Sequence, residues 1–331
     1  MNTIIGQTIG GHYQIIELLG KGGFGETYIA QDIHLPDNPY RVVKKLKPQF
    51  INPSDLENAQ RLFNTEAQTL YKLGTHNQIP QLFAHFEENQ EFYLVQEYIE
   101  GHDLTKEIKP GKPLNEPQVI KILQEIFTVL EFVHQKNVIH RDIKPANLIR
   151  RRADNKIILI DFGAVKQITS KINYTIPIGT PGYIPSEQLR GQPQHCSDIY
   201  AVGIVAIEAL TGIQPNQLPI NPDTLEISWR DTLSVSPELG DILDKMIRHH
   251  FPYRYQSAAE VLQSLNSFTL ATTPSPTTPS FPQPKAKSKL RLWIILVSLG
   301  IIVTVIVTAI LNFSAITKTQ NNTPQPSRIT W

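Results

Sequence analysis

Asp142, Lys144 and Asn147 stand in the run Val138-Ile139-His140-Arg141-Asp142-Ile143-Lys144-Pro145-Ala146-Asn147-Leu148-Ile149, and Asp161-Phe162-Gly163 follows after a short strand-like stretch. Transfer of a phosphoryl group needs a carboxylate beside the attacking hydroxyl, oxygen ligands for metal ions on a polyphosphate, and cations against the developing charge. These residues supply all three. Upstream, Leu19-Gly20-Lys21-Gly22-Gly23-Phe24-Gly25-Glu26-Thr27-Tyr28 spaces its glycines as G-x-G-x-x-G, which lets backbone N–H groups come close to phosphate oxygens. Dinucleotide-binding turns share that spacing. Here the segment that follows is strand-like rather than helical and no acidic ribose ligand stands at the expected place, which argues against such a turn.

The elements that must carry these groups follow from periodicity. The first hundred residues alternate short strand-like runs with Gly and Pro punctuation, and the stretch from 115 onward is largely helical. Val119, Ile122, Leu123, Ile126, Leu130 and Val133 form one apolar helical face, and Leu239, Ile242, Leu243, Met246 and Ile247 form another. Ser236 before Pro237 reads as a helix cap, and Ser257 with Glu260 as a capping box. Two lobes, one β-rich and one helical, are the simplest account.

The HRDIKPAN run with the DFG triplet and the glycine loop resembles the eukaryotic-type (Hanks-type) serine/threonine protein kinases over residues 13–268, in the style of the bacterial members. The resemblance implies an α+β bilobal kinase fold and transfer of the ATP γ-phosphate to Ser or Thr of proteins. Asp142 would accept the substrate hydroxyl's proton and Lys144 would reach the transferred phosphate. Asn147 and Asp161 would bind Mg²⁺, with Mn²⁺ as an alternative ion. In Arg41-Val42-Val43-Lys44-Lys45-Leu46 one lysine would hold the α and β phosphates. Side chains alternate across a strand, so only one of the two can face the nucleotide; Lys44 is taken for that role, with Val42 over the adenine, and Lys45 stays as the alternative. Glu66 would be its ion-pair partner, with Glu57 in the same helix-like stretch as the rival. Backbone groups of Glu97 and Tyr98 would meet adenine and Asp103 the ribose. Leu19, Gly20, Lys21, Gly22, Gly23, Phe24, Gly25, Thr27 and Ile149 complete the nucleotide set. Thr27 departs from the valine usual there.

Beyond Gly163, Ala164 to Ile178 would form the activation loop, with Thr169, Ser170 and Thr175 as autophosphorylation candidates that Arg141 would pair with. Gly179 to Glu187 resembles the substrate-binding loop and its Ala-Pro-Glu motif, here ordered Pro-Ser-Glu. Glu187 would pair with Arg254, and Asp198 would hold the catalytic-loop backbone. A scaffold with this fold but no transfer is the alternative function, disfavoured because Lys44, Asp142, Asn147 and Asp161 are all present.

All 30 acidic residues precede position 271 whereas six of the 31 Lys and Arg follow it, so the first 270 residues carry a net −5 and the last 61 a net +6. A nucleic-acid-binding catalytic domain is disfavoured by that balance. One cysteine, Cys196, excludes an intrachain disulfide. No cleaved signal peptide is read at the N-terminus. His195 beside Cys196, and His249 beside His250, lack zinc-ligand spacing.

Residues 269–291 read as a Pro/Thr/Ser-rich linker that ends in a basic cluster of Lys285, Lys287, Lys289 and Arg291. Residues 292–311 are twenty positions without a charge, enough for one transmembrane helix. The expectation is a membrane-anchored, single-pass protein with its kinase domain cytoplasmic and a short extracytoplasmic tail over 312–331. Its partners would be protein substrates and the lipid bilayer, with input from the cytoplasm, the lipid or self-association as a homodimer.

Overall fold

The computed structural model describes residues 4–22, 25–46, 53–74, 76–162, 166–167 and 179–272. Gly23, Phe24, Gly163, Thr169, Ser170 and Thr175 lie outside the described residues, as does everything from 273 onward.

The N-terminal lobe is a six-stranded antiparallel sheet in the order β1-β2-β3-β4-β6-β5. Its strands are β1 (Thr8–Ile9), β2 (Tyr13–Gly22), β3 (Gly25–Asp32), β4 (Tyr40–Leu46), β5 (Leu82–Glu88) and β6 (Glu91–Glu97), with helix α1 (Pro53–Leu73) between β4 and β5. Alternation sorts its residues onto two faces. Ile9, Tyr13, Ile15, Tyr28, Val43, Tyr93 and Val95 pack together as one small core. Leu46 and Leu94 join the larger core, together with Phe63, Ala67 and Leu70 of α1, whose spacing of three and four residues puts them on one side of that helix.

The C-terminal lobe is built on α2 (Glu116–Gln135) and α4 (His195–Thr211), with α3 (Ser186–Leu189), α5 (Pro237–Met246) and α6 (Ala258–Thr272) around them. Asn115 caps α2 in a reciprocal box with Gln118, and Ser236 caps α5. Helix α4 is buried nearly all round, as befits a helix apolar on every face. Short pairs complete the lobe's upper edge: β7 (Gly101–Asp103), β9 (Leu148–Arg151) and β10 (Ile157–Leu159) form one small sheet, and β8 (Val138–Ile139) pairs with β11 (Lys166–Gln167). The catalytic-motif loop therefore sits between β8 and β9, bounded on both sides by paired strands.

The last described helix, α6, ends at Thr272. The membrane-anchored reading is corrected: among the described residues no helix is long and apolar enough to cross a membrane. The fold is bilobal and α+β, as the resemblance implies, and no span is assigned among the described residues. The proposed bilayer partner, the single-pass topology and the cytoplasmic orientation rested on residues 292–311, which lie outside the described residues. The run of apolar residues satisfied the length rule, but hydropathy reports the transfer preference of side chains and not that a helix exists to present them. The two longest described helices, α1 and α2, carry charged faces and pack into the fold.

Candidate active site

Lys44 and Lys45 leave β4 on opposite faces. Lys44 Nζ lies 2.5 Å from Glu66 Oε1 of α1 and 2.8 Å from Asp161 Oδ1. Lys45 Nζ lies on the other side of the sheet, 2.6 Å from Glu91 Oε2. Burial alone would lower the Lys44 pKa, but the charges of Asp161 and Glu66 outweigh it and hold the ammonium above its ordinary range. The Lys44 charge in turn holds the Asp161 carboxyl down to about 2. One lysine, one helix glutamate and one loop aspartate thus form a charged cluster between β4, α1 and the end of β10.

Across the loop, Asp142 is surrounded by donors. Lys144 Nζ reaches its Oδ2 at 2.8 Å and Asn147 Nδ2 reaches the same oxygen at 3.0 Å. Thr180 Oγ1 donates to Asp142 Oδ1 at 2.7 Å and accepts from Lys144 Nζ at 2.7 Å. Asn147 Nδ2 also donates to the Asp142 carbonyl at 2.7 Å. Its amide nitrogen is committed to Asp142, so the amide oxygen is the group left to hold a cation. With the Asp161 carboxylate, that makes an all-oxygen donor set of the kind a hard divalent ion takes.

The loop is held from beneath by Asp198 of α4. Its carboxylate accepts from the N–H of His140 and of Arg141, each at 2.9 Å, and from His134 Nε2 at 2.9 Å. Burial would raise the Asp198 pKa, yet the His134 hydrogen bond and nearby positive charge keep it below its usual range. Burial lowers the pKa of His140, so its imidazole is neutral. Its Nε2 donates to the Ile160 carbonyl at 3.0 Å and Nδ1 accepts from the Asp142 N–H at 3.4 Å. Arg141 and Asp161 both have positive φ, 70° and 68°, a backbone region uncommon for residues with a Cβ and often found at functional loops.

Glu187 and Arg254 form a two-bond pair at 2.7 and 3.2 Å, with Ser197 Oγ adding a bond of 2.6 Å to the same carboxylate. At the nucleotide side, Thr27 lies opposite Lys44 and Ile29 opposite Val42 in the β3–β4 register. Leu19 is exposed, Val42 and Ile149 are half-buried, and Ile149 faces Asp103 across β9 and β7. The Asp103 carboxylate caps Leu104–Lys106, accepting from the Thr105 backbone and hydroxyl. The Glu97 N–H donates to the Gln81 carbonyl at 2.8 Å. Gly20, Lys21 and Gly22 close β2 and Gly25 opens β3, and a Cβ on Gly25 would fall 2.2 Å from the Lys45 carbonyl oxygen.

Thr180, His134 and Gln188 had no individual role in the motif reading. Thr180 and Gln188 reach the loop from 38 and 47 residues away in sequence, and His134 meets Asp198, the residue that holds the loop, across 64, separations at which spacing carries no signal.

The family model described as "Protein kinase domain" matches residues 13–265. Serine/threonine-protein kinase B of Synechocystis sp. is 44% identical over 267 residues, covering 78% of this chain and 46% of that protein. Serine/threonine-protein kinase PknA of Nostoc sp. is 44% identical over 289 residues, covering 85% and 51%. The chain spans about half the length of these relatives. The crystal structure of a Mycobacterium tuberculosis PknI kinase domain double mutant has the same fold, with a TM-score of 0.60 at 23% identity over 81% of this chain and 99% of that one. A match over most of the chain, by family and by relatives, establishes that this protein belongs to the eukaryotic-type serine/threonine protein kinases.

Proposed function

We propose that this chain transfers the γ-phosphate of ATP to serine or threonine hydroxyls of proteins. The observation that carries the reading is the meeting of Asp142, Lys144, Asn147 and Thr180 within hydrogen-bond reach, in the same structure that gathers Lys44, Glu66 and Asp161.

The roles follow from charge and geometry. Asp142, fixed on both oxygens, orients the acceptor hydroxyl and takes its proton as the new bond forms. Lys144 lies beside it and offsets negative charge on the phosphoryl oxygens in flight. Lys44, steadied by Glu66, holds the α and β phosphates, and the glycine loop from Leu19 to Gly25 offers backbone N–H groups to them. Val42, Thr27, Ile149 and the Glu97–Tyr98 backbone take the adenine, and Asp103 the ribose. Asn147 and Asp161 would hold Mg²⁺ through oxygen, and bound Mg²⁺ supplies positive charge that screens the polyphosphate. The same chemistry extends to hydroxyls of the chain itself, with Thr169, Ser170 and Thr175 as acceptors.

The test is transfer from labelled ATP, with Mg²⁺, to a generic basic protein and to the full chain itself, beside Asp142→Ala and Asp161→Ala. We expect phosphoserine or phosphothreonine that both substitutions abolish. A folded wild-type chain that binds ATP and transfers nothing would replace this reading with a nucleotide-binding scaffold.

A further inference from the structure

Gln188 stands next to Glu187 in α3 and is 3% exposed. Its Nε2 donates to the Arg141 carbonyl at 2.6 Å, across 47 residues of sequence. Arg141 is the residue whose φ is 70°, a conformation that persists only where neighbours over-determine it. Its two backbone polar groups are gripped from two sides: Asp198 Oδ1 takes the N–H at 2.9 Å and Gln188 takes the carbonyl.

That carbonyl belongs to the peptide joining Arg141 to Asp142. Turning it turns the Asp142 backbone nitrogen, and with it the direction of the carboxylate that Thr180 and Lys144 hold. The substrate-side loop passes over the same spot. A Cβ at Gly179 would lie 2.9 Å from Gln188 Nε2 and 3.0 Å from the Arg141 oxygen, so the loop's first described residue has a glycine where it crosses the bond.

We propose that Gln188 is a positioning residue for phosphoryl transfer: its amide holds the left-handed Arg141–Asp142 peptide, and so links the substrate-binding segment to the aim of Asp142. The inference rests on the kinase reading above and extends it to a side chain that touches neither nucleotide nor acceptor. A carbonyl only accepts hydrogen bonds, so the contact needs a donor at position 188, which makes the role separable from packing.

The experiment uses the full chain and measures kcat and both KM values from about pH 6 to about pH 8 for wild type, Gln188→Leu and Gln188→Glu, a range in which a buried glutamate facing a carbonyl titrates. Leucine fills the site without a donor. Its kcat falls by ~10-fold or more, the scale of small misplacements of a catalytic group, while KM for ATP is unchanged. Glutamate donates when protonated and repels the carbonyl when ionised. Its kcat relative to wild type therefore rises toward acid, whereas the leucine ratio stays flat.

A leucine variant at wild-type kcat overturns the proposal, as do leucine and glutamate variants reduced by one pH-independent factor. If circular dichroism shows that the leucine variant does not fold, the pH dependence of the glutamate ratio decides alone. A wild type that transfers nothing removes the kinase reading and this inference together, while an active wild type matched by Gln188→Leu removes only the inference.

Discussion

Lys44 and Lys45 are adjacent, chemically identical and physically opposite. Glu66 is 5% exposed and holds Lys44 from inside, whereas Lys45 meets Glu91 on the far face, where Tyr93 donates to the same carboxylate at 2.8 Å. On the proposed reading, in which Lys44 holds the phosphates, Lys44→Met is expected to reduce transfer by ~100-fold or more, because a charge is lost from a shielded site. Lys45→Met should leave transfer largely intact and instead lower unfolding free energy by about 0.5–1.5 kcal/mol, the net worth of one hydrogen bond to a carboxylate that keeps its Tyr93 donor. Phosphate-transfer assays and urea denaturation of the two variants separate these outcomes.

Asp198 gives a second residue-scale prediction, with a definite sign. Its folded pKa lies below the ordinary 3.8, so its stabilising effect is complete above that value and is lost as pH falls through the lower folded pKa. Asp198→Asn presents an N–H to one of the three donors now satisfied. The variant should be less stable than wild type by about 2–4 kcal/mol at neutral pH. The gap should narrow below about pH 4. Urea denaturation across that range checks it, and a gap independent of pH would contradict the assignment.

Helix–helix spacing is decided at the scale of elements by positions where no side chain fits. A Cβ on Gly203 of α4 would come 2.6 Å from Ile247 Cγ2 and 3.2 Å from Met246 Cβ, at the contact with α5. Alanine there gains about 1 kcal/mol of helix propensity, yet the branched Ile247 has no flexible tip to move aside. Gly203→Ala should therefore be net destabilising, because overpacking costs about 1–3 kcal/mol, and a lower Tm is the expected reading. The apolar periodicity of α2 and α5 was legible in the sequence because burial of one face imposes it locally. The approach of α5 to Gly203 was not, since a glycine inside a helix looks the same whether it faces a neighbour or solvent.

For the molecule as a whole, Glu187 and Arg254 tie α3 to the loop before α6, with side chains 3% and 0% exposed. Removing one partner strands a buried charge, at a cost of about 3–5 kcal/mol. Glu187→Gln and Arg254→Met should each destabilise by that order. The double variant should be less destabilised than the sum of the two, and a double-mutant cycle by chemical denaturation measures the coupling.

The sequence by itself determined the family, the two-lobe division and the identity of the motif aspartates, because those rest on short-range spacing of residue types that one loop must hold together. Burial in the folded chain decided the rest. Which lysine meets Glu66 depends on where α1 lies. That Thr180 completes the Asp142 cluster and Gln188 grips Arg141 depends on contacts 38 and 47 residues apart in sequence. Local pattern states what a segment prefers, and only the packing of the whole chain states what it meets.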